Sequence, residues 1–225
     1  MAELISGLRA EQVHANLERL RGEIDAARPR APAADAHGPV EILAATKYVP
    51  AEELPVLAEA GVTLVGENRA QELQAKVEAH GELFEWDFIG ALQSRRVRLI
   101  VPHVRLIHSV ASSSAMRELE RHADRARPGL RILIEVNLAG EPGKAGIPPE
   151  HLDELIARSP FPVAGLMTMP PASVDPEASR PWFAALRELA RERRLEHLSM
   201  GTSQDYLVAV EEGATIVRIG TSLYD

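Results

Sequence analysis

Short apolar runs alternate along the chain with segments in which apolar positions recur at helical spacing. The apolar runs lie near residues 41–46, 62–66, 84–90, 104–110, 131–138, 161–167, 197–200 and 214–219. Helical periodicity covers residues 51–60, 68–79, 93–100, 112–126, 149–158, 178–195 and 204–212. Strands that alternate with helices are typical of a parallel sheet with helical crossovers. Eight such units predict a single (β/α)₈ barrel of the α/β class, with an open doubly wound sheet as the alternative.

A further helix is expected before the first strand. Its apolar residues at roughly helical spacing are Ile5, Leu8, Val13, Leu17, Leu20 and Ile24. The stretch PRAPAADAHGP, residues 29–39, is rich in proline and predicts a loop. We therefore expect one domain over residues 1–225, in which residues 1–39 form an N-terminal helix and linker.

Composition narrows the possible functions. The formal net charge of −8 disfavours nucleic-acid binding, which requires clustered lysine and arginine. The absence of cysteine excludes disulfides, cysteine zinc sites and cysteine nucleophiles, and the eight histidines show no metal-ligand spacing. No apolar run reaches the length of a membrane span, and the N-terminus has no apolar signal core. We expect a cytoplasmic protein, and a monomer because a closed barrel needs no partner.

A lysine follows the first predicted strand in the segment EILAATKYVP. Lys47 stands at the carboxyl end of this strand, the side on which barrels place their active sites. In a partly dry pocket such a lysine loses affinity for its proton, and the free amine can form a Schiff base with a carbonyl compound. The alternative is a surface lysine at the start of a loop.

Two small-residue loops follow the last two predicted strands. The first contains Ser199, Gly201, Thr202 and Ser203, and the second contains Gly220 and Thr221. Hydroxyls and free backbone N–H groups can bind an anion, and barrels often hold phosphate in the loops after strands seven and eight. The alternative is helix capping by Ser203 and an ordinary tight turn at Gly220.

An arginine lies within the apolar last strand. Strand alternation places Arg218 on the same face as Ile216 and Gly220, so a buried guanidinium would need a partner. That partner is either an acid on a neighbouring strand or the ring nitrogen of a cofactor. A Schiff-base lysine, a phosphate site and an inward arginine together predict pyridoxal 5′-phosphate (PLP) as the ligand.

The motifs resemble those of one known family. ATKYVP, VGENRAQE, WDFIGALQS, IHSVAS, EVNLAGEPGKAGI, GLMTMPP, LSMGTSQDY and VRIGTSLYD occur in the order found in the pyridoxal phosphate homeostasis proteins, the YggS/PROSC family. The resemblance covers residues 41 to 225 and implies a fold-type III barrel like the N-terminal domain of alanine racemase.

The resemblance also implies roles for individual residues. Lys47 would carry PLP covalently, Asn68 would lie close to the cofactor, and Arg218 would meet the pyridine nitrogen. The implied phosphate contacts come from Ser199, Gly201, Thr202, Ser203, Gly220 and Thr221.

This chain departs from the usual family pattern at several positions. Asp87 replaces a histidine, Arg95 replaces an asparagine, and Thr202 replaces a methionine. Thr202 adds a hydroxyl and is compatible with phosphate binding. We assign no role to Asp87 or Arg95.

The expected function is a non-catalytic one. A racemase of this fold type needs a second acid–base group opposite the lysine, and none of Tyr48, Tyr206 and Tyr224 has an evident claim to that role. We therefore expect a PLP-binding protein of vitamin B6 homeostasis whose partners are PLP and PLP-dependent apo-enzymes. The alternatives are a weak PLP-dependent amino-acid racemase and an interaction scaffold without a cofactor.

Two other features are interpreted as structural. The segment GEPGK lacks the glycine and the hydroxyl residue of a nucleotide-binding loop, so Lys144 is expected to be a solvated loop lysine. His108 is expected to be a hydrogen-bonded structural histidine.

Overall fold

Eight parallel strands close into a barrel in chain order. The structure is a computed structural model that describes residues 4–28 and 38–225. The strands are β1 (Glu41–Ala45), β2 (Leu64–Glu67), β3 (Glu85–Phe88), β4 (Leu106–Val110), β5 (Arg131–Glu135), β6 (Val163–Met167), β7 (His197–Thr202) and β8 (Ile216–Ile219). The helices are α1 (Ala10–Ala27), α2 (Leu54–Glu59), α3 (Ala70–His80), α4 (Val97–Ile100), α5 (Ser113–Arg121), α6 (Leu152–Ala157), α7 (Arg180–Glu192), α8 (Tyr206–Glu211) and α9 (Thr221–Tyr224).

The first and last strands pair directly and complete the barrel. Glu41 lies opposite Ile216, and Leu43 lies opposite Arg218, in parallel register. This closure confirms the predicted (β/α)₈ barrel and excludes the open doubly wound sheet. All eight predicted strands form, and residues 29–37 of the loop predicted over 29–39 lie outside the described residues.

Several crossover helices are shorter than predicted because their first turn is a 3₁₀-helix. Residues Ala51–Glu53 form such a turn before α2, and Pro149–His151 form one before α6. The final helix, α9, was not predicted, because four residues are too few to show helical periodicity. None of the helices in the described ranges is long and apolar enough to cross a membrane.

The apolar side chains form two layers. Inside the barrel, Leu43, Leu64, Leu106, Leu133, Met167 and Ile216 pack together near its axis. A larger cluster fills the space between the outer face of the strands and the helices. This two-layer arrangement follows from strand alternation, since successive side chains point to opposite faces of the sheet.

The N-terminal helix α1 packs outside the barrel and holds the C-terminus. The buried Asn16 donates its amide hydrogens to the carbonyl oxygens of Leu223 and Asp225, at 3.2 and 2.8 Å. Arg19 donates to the carbonyl oxygen of Ser222 at 3.0 Å. These bonds fix the end of the chain beside the loop that follows β8.

A buried ion pair joins the ends of β1 and β2 to helix α3. Lys76 Nζ lies 2.5 Å from Glu67 Oε1 and 2.8 Å from the carbonyl oxygen of Thr46. The Thr46 hydroxyl donates to the same carboxylate oxygen at 2.6 Å. The pair therefore fixes the backbone immediately before Lys47, at the carboxyl end of the barrel.

Breaking this pair is expected to destabilise the fold. The Lys76→Met variant should lose about 3–5 kcal/mol of unfolding free energy, because it leaves the Glu67 carboxylate buried without its cation. The Lys76→Met/Glu67→Gln double variant should recover much of that loss. The free energy is measured by urea denaturation, with Arg158→Met, which opens the exposed pair to Glu154, as a control with little effect. A Lys76→Met midpoint equal to that of the control would contradict the expectation.

Candidate functional site

A cavity of about 460 Å³ opens at the carboxyl end of the barrel. Seven predicted site residues line it: Lys47, Asn68, Thr202, Ser203, Arg218, Gly220 and Thr221. Its size is that of a small-molecule site, and it lies where barrels place their chemistry. The fold thus brings the lysine at the end of β1 into the same cavity as the loops after β7 and β8.

Lys47 is exposed at the edge of this cavity. Its ammonium lies 4.8 Å from the centre of the Tyr48 ring, and Tyr48 is itself 37% exposed. The expectation of a partly dry pocket around Lys47 is therefore wrong. The chain ends β1 two residues earlier, at Ala45, so the lysine side chain extends from a turn into solvent. A carbonyl compound from solution can reach it.

Lys47 also differs from the other lysines in its partners. The sequence contains three lysines, Lys47, Lys76 and Lys144. Lys76 is 3% exposed and paired with Glu67, and Lys144 lies 2.5 Å from Glu141 in its loop. Among the described residues no carboxylate pairs with Lys47. Its amine is the one available for a covalent bond in this cavity.

Arg218 forms part of the cavity wall and is almost fully buried. Its Nη1 donates to Ser199 Oγ at 2.6 Å, and its Nη2 donates to the Thr168 carbonyl oxygen at 3.1 Å. Burial lowers the pKa of Arg218 to about 10, against the opposing influence of Glu135 and Asp205, so it remains a cation at neutral pH.

The expected alternative, a salt bridge from Arg218 to an acid on a neighbouring strand, is not found among the described side chains. Its bonded partners are a hydroxyl, a carbonyl oxygen and the sulfur of Met169. The arginine therefore keeps its charge next to the cavity without a carboxylate bonded to it.

The loops after β7 and β8 are tied to each other. Ser203 Oγ accepts hydrogen bonds from the backbone N–H groups of Gly220 and Ser222, at 3.1 and 3.4 Å. The Thr202 N–H and hydroxyl both donate to Asp205 Oδ1, at 2.7 and 3.1 Å. Helix α8 begins at Tyr206 with no side-chain cap, so the alternative of helix capping by Ser203 is not found. The Ser203 hydroxyl instead joins the two loops.

Gly220 leaves open space in this wall. A Cβ atom built on Gly220 would meet nothing within 4 Å, and the residue lines the cavity. The missing side chain keeps room beside the hydroxyls of Ser203 and Thr221.

Two of the predicted residues, Ser199 and Gly201, lie outside the cavity lining. Ser199 is fully buried inside the barrel, where its hydroxyl contacts Arg218 and His108. Gly201 has a φ of +90°, and a Cβ there would lie 2.6 Å from Ala209 Cβ. A direct phosphate contact from Ser199 is not supported by this placement, and Gly201 serves the irregular end of β7, where the register shifts.

Asn68 contributes an unsatisfied polar atom to the cavity. Its side-chain oxygen Oδ1 is buried and has no hydrogen-bond partner among the described residues. Buried amide oxygens are nearly always bonded, so this atom is available to a ligand that carries a donor.

The tyrosines near the site are poor candidates for an acid–base group opposite Lys47. The Tyr224 hydroxyl donates to the Ala45 carbonyl oxygen at 3.3 Å. Burial and the Glu67 carboxylate raise the pKa of Tyr224, so it resists loss of its proton. Tyr48 lies beside Lys47 itself, and Tyr206 bonds to Glu23 of α1 outside the cavity lining.

Sequence reasoning missed part of this wall. Ile5 and Met169 line the cavity, and the Ile5 N–H donates to the Tyr48 carbonyl oxygen at 2.8 Å. Glu53 holds the same N-terminal segment by accepting from the N–H groups of Gly7 and Leu8, at 2.7 and 3.1 Å. The sequence offered no signal for this packing, since Ile5 fits the helical spacing of α1 equally well. The structure begins α1 at Ala10.

Comparisons with known proteins agree with the fold and the motifs. Residues 10–225 match the family described as alanine racemase, N-terminal domain. The chain is 44% identical to the pyridoxal phosphate homeostasis protein of Aquifex aeolicus over 195 residues, which is 82% of this chain and 86% of the relative. The corresponding Vibrio cholerae protein is 35% identical, with 94% of this chain and 95% of the relative covered.

A solved structure shows the same likeness in three dimensions. PipY of Synechococcus elongatus, in the structure with PLP bound, superposes with a TM-score of 0.77 at 32% identity, over 95% of this chain and 100% of that one. Sequence identities of 44%, 35% and 32% exceed those expected from a shared barrel fold alone. The chain belongs to the pyridoxal phosphate homeostasis family, whose barrel is of the alanine racemase N-terminal type.

Proposed function

We propose that this protein binds PLP covalently on Lys47 and releases it to PLP-dependent apo-enzymes, without catalysing a reaction of its own. The observation that carries the proposal is the single cavity in which an exposed amine, a buried arginine and two hydroxyl-bearing loops meet. The PLP-bound PipY structure and the names of the relatives support PLP as the ligand.

The donor set of the cavity fits PLP. The phosphate needs hydrogen-bond donors and space, which Ser203, Thr221 and the open position at Gly220 provide. Arg218 supplies a cation for the acceptor nitrogen of the ring. The unpaired oxygen of Asn68 is available to a hydroxyl on the ligand. When bound, PLP supplies the aldehyde with which Lys47 reacts.

Lys47 is the proposed point of attachment. Its unprotonated Nζ adds to the aldehyde carbon, a carbon–nitrogen double bond forms, and the carbonyl oxygen leaves as water. Hydrolysis reverses these steps and returns the aldehyde. Exposure of Lys47 supports exchange in both directions, because water and an incoming apo-enzyme can both reach the bond.

The arrangement favours a carrier over a racemase. A racemase needs a second proton-transfer group opposite the lysine, within hydrogen-bond reach of the substrate. Tyr224 is held by a backbone carbonyl and its pKa is raised, and Tyr48 lies beside Lys47. An arginine at the ring nitrogen is a poor proton donor, and this leaves the cofactor a weak electron sink. The cytoplasmic location and the monomeric state expected from the sequence remain predictions.

Covalent attachment is tested by reduction and mapping. Wild-type protein incubated with PLP, reduced with borohydride and digested should carry the pyridoxyl mass on the peptide containing Lys47. Lys47→Ala should abolish the label, because Lys76 and Lys144 are engaged with carboxylates. Lys144→Ala is the matched control and should keep the label. A label on another lysine, or none in the wild type, would refute the assignment.

The position of the phosphate is tested by filling the open space at Gly220. Gly220→Ala should weaken PLP binding by about tenfold, the scale of one lost hydrogen bond to a charged group, with its fold checked by circular dichroism. Binding of pyridoxal, which lacks the phosphate, should change much less. Affinities are measured by fluorescence titration, with Gly22→Ala in α1 as a control glycine that also has open space. Equal losses for PLP and pyridoxal would place the phosphate elsewhere.

Absence of turnover is tested directly. Protein loaded with PLP and incubated with single L-amino acids should produce no D-enantiomer above the level seen with free PLP, as measured by chiral chromatography. Racemisation that disappears in Lys47→Ala would overturn the carrier proposal and favour the racemase.

A further inference from the structure

A line of polar side chains crosses the interior of the barrel and ends at Arg218. Asp87 Oδ2 lies 3.1 Å from His108 Nε2, and His108 Nδ1 lies 2.8 Å from Ser199 Oγ. Ser199 Oγ lies 2.6 Å from Arg218 Nη1. Asp87, His108 and Ser199 are fully buried, and Arg218 is 6% exposed. Strands β3, β4, β7 and β8 each contribute one member, so the line connects opposite sides of the barrel.

The line runs through an otherwise apolar interior. Its neighbours near the barrel axis include Leu43, Leu106, Leu133 and Ile216. Polar groups in such surroundings are tolerated only when they are hydrogen-bonded, so each member depends on the next. A substitution at one end of the line is therefore expected to alter the hydrogen bonds at the other end.

The donor and acceptor capacities give the line one direction. A carboxylate only accepts, so His108 Nε2 carries the hydrogen that faces Asp87. Burial lowers the pKa of His108 despite the nearby carboxylate, which leaves the ring neutral and its Nδ1 without a hydrogen. The Ser199 hydroxyl then donates to Nδ1, and its oxygen is free to accept from Arg218, which has only donors.

The far end of the line is held by a second arginine. Arg105 Nε and Nη2 donate to Asp87 Oδ1 and Oδ2 at 3.0 and 3.2 Å, and Arg105 also pairs with Glu41 at 2.8 and 2.6 Å. These contacts hold the Asp87 carboxylate at the amino end of the barrel, with Oδ2 facing both Arg105 Nη2 and His108 Nε2.

We propose that Asp87 is a positioning residue for the ligand cavity: through His108 and Ser199 it sets the direction in which the Arg218 guanidinium is held. Asp87 does not line the cavity. Asp87 accepts from Nε2–H and so selects this form of His108. The bare Nδ1 then orients the Ser199 hydroxyl as a donor, and the Ser199 oxygen accepts from Arg218 Nη1 and holds it in place. The proposal deepens the proposed PLP-binding function and rests on it for the role of Arg218.

The Asp87→Asn variant separates this role from simple filling of space. Its amide oxygen keeps the shorter of the two Arg105 contacts, to Nε at the Oδ1 position, so its NH₂ group takes the Oδ2 position and faces His108 Nε2. The His108 ring must then accept at Nε2 and carry its hydrogen on Nδ1. As a result, Nδ1 can no longer accept the hydrogen bond that the Ser199 hydroxyl donates. Asn has the size and shape of Asp, so a merely structural role would leave the histidine form unchanged.

The first test needs no cofactor. Protein with ¹⁵N-labelled histidine is studied by NMR, in which the correlations of the ring nitrogens distinguish the two neutral forms. The wild-type protein should show His108 with hydrogen on Nε2, and Asp87→Asn should show it on Nδ1. His108→Gln identifies the signal among the eight histidines. Glu85→Gln is the matched control, since it removes one carboxylate from the same strand, at the exposed pair with Arg127.

The second test follows the effect to the cavity. Asp87→Asn should release PLP about tenfold faster than the wild type, the scale of one hydrogen bond to a charged group. In the Ser199→Ala background, where the line is already broken, Asp87→Asn should change the release rate no further. Glu85→Gln should release PLP at the wild-type rate.

The outcomes distinguish the two proposals. If wild-type protein binds no PLP, the proposed function fails whatever form His108 takes. If PLP binds but Asp87→Asn leaves the His108 form or the release rate at its wild-type value, the positioning role of Asp87 is overturned. An equal effect of Asp87→Asn with and without Ser199 would also overturn it, because the influence would then not pass through the hydroxyl.

Discussion

The pairing of the first strand with the last is the constraint on which the site depends. Leu43 of β1 lies opposite Arg218 of β8, and Ala44 lies opposite Ile219. Lys47 lies two residues after the end of β1, and Gly220 follows β8, so closure of the barrel places the amine and the late loops around one cavity. In an open sheet these two strands would be free to lie at opposite edges, and Lys47 would then be distant from the loop that begins at Gly220.

Periodicity and the rule for barrel faces predicted most of this arrangement. Eight apolar runs predicted eight strands, and the preference for the carboxyl end grouped Lys47 with the loops near Thr202 and Gly220. What could not be predicted is a shift of register between β7 and β8. Ser199 pairs with Ile216, but Thr202 pairs with Arg218, so three steps on β7 match two on β8. This bulge keeps Ser199 inside the barrel and brings Thr202 to the cavity, where simple alternation would have placed Gly201.

The sequence also could not predict which side chains contact each other across the interior of the barrel. The alternation of a strand tells which face a side chain takes, but not which side chain of a distant strand it meets. Asp87 was thus a departure from the family pattern without an assigned role, although His108 had been expected to be hydrogen-bonded. The structure gives both residues their partners. The expectation of a partly dry pocket around Lys47 was wrong for a different reason. The strand β1 ends at Ala45, so Lys47 lies in a turn that is exposed to solvent.

The polar line also answers how a barrel can hold an arginine beside a cofactor site. A carboxylate bonded to Arg218 would satisfy the guanidinium, but it would compete for the same hydrogens with the ring nitrogen that we propose as the partner of Arg218. An apolar neighbour would leave the buried charge unpaired. Ser199 avoids both outcomes, because a hydroxyl satisfies Nη1 without adding a negative charge. The carboxylate is displaced to Asp87, two side chains further along, where Arg105 balances its charge. The interior of the barrel thus satisfies Arg218 on one side while leaving its cavity side to the ligand.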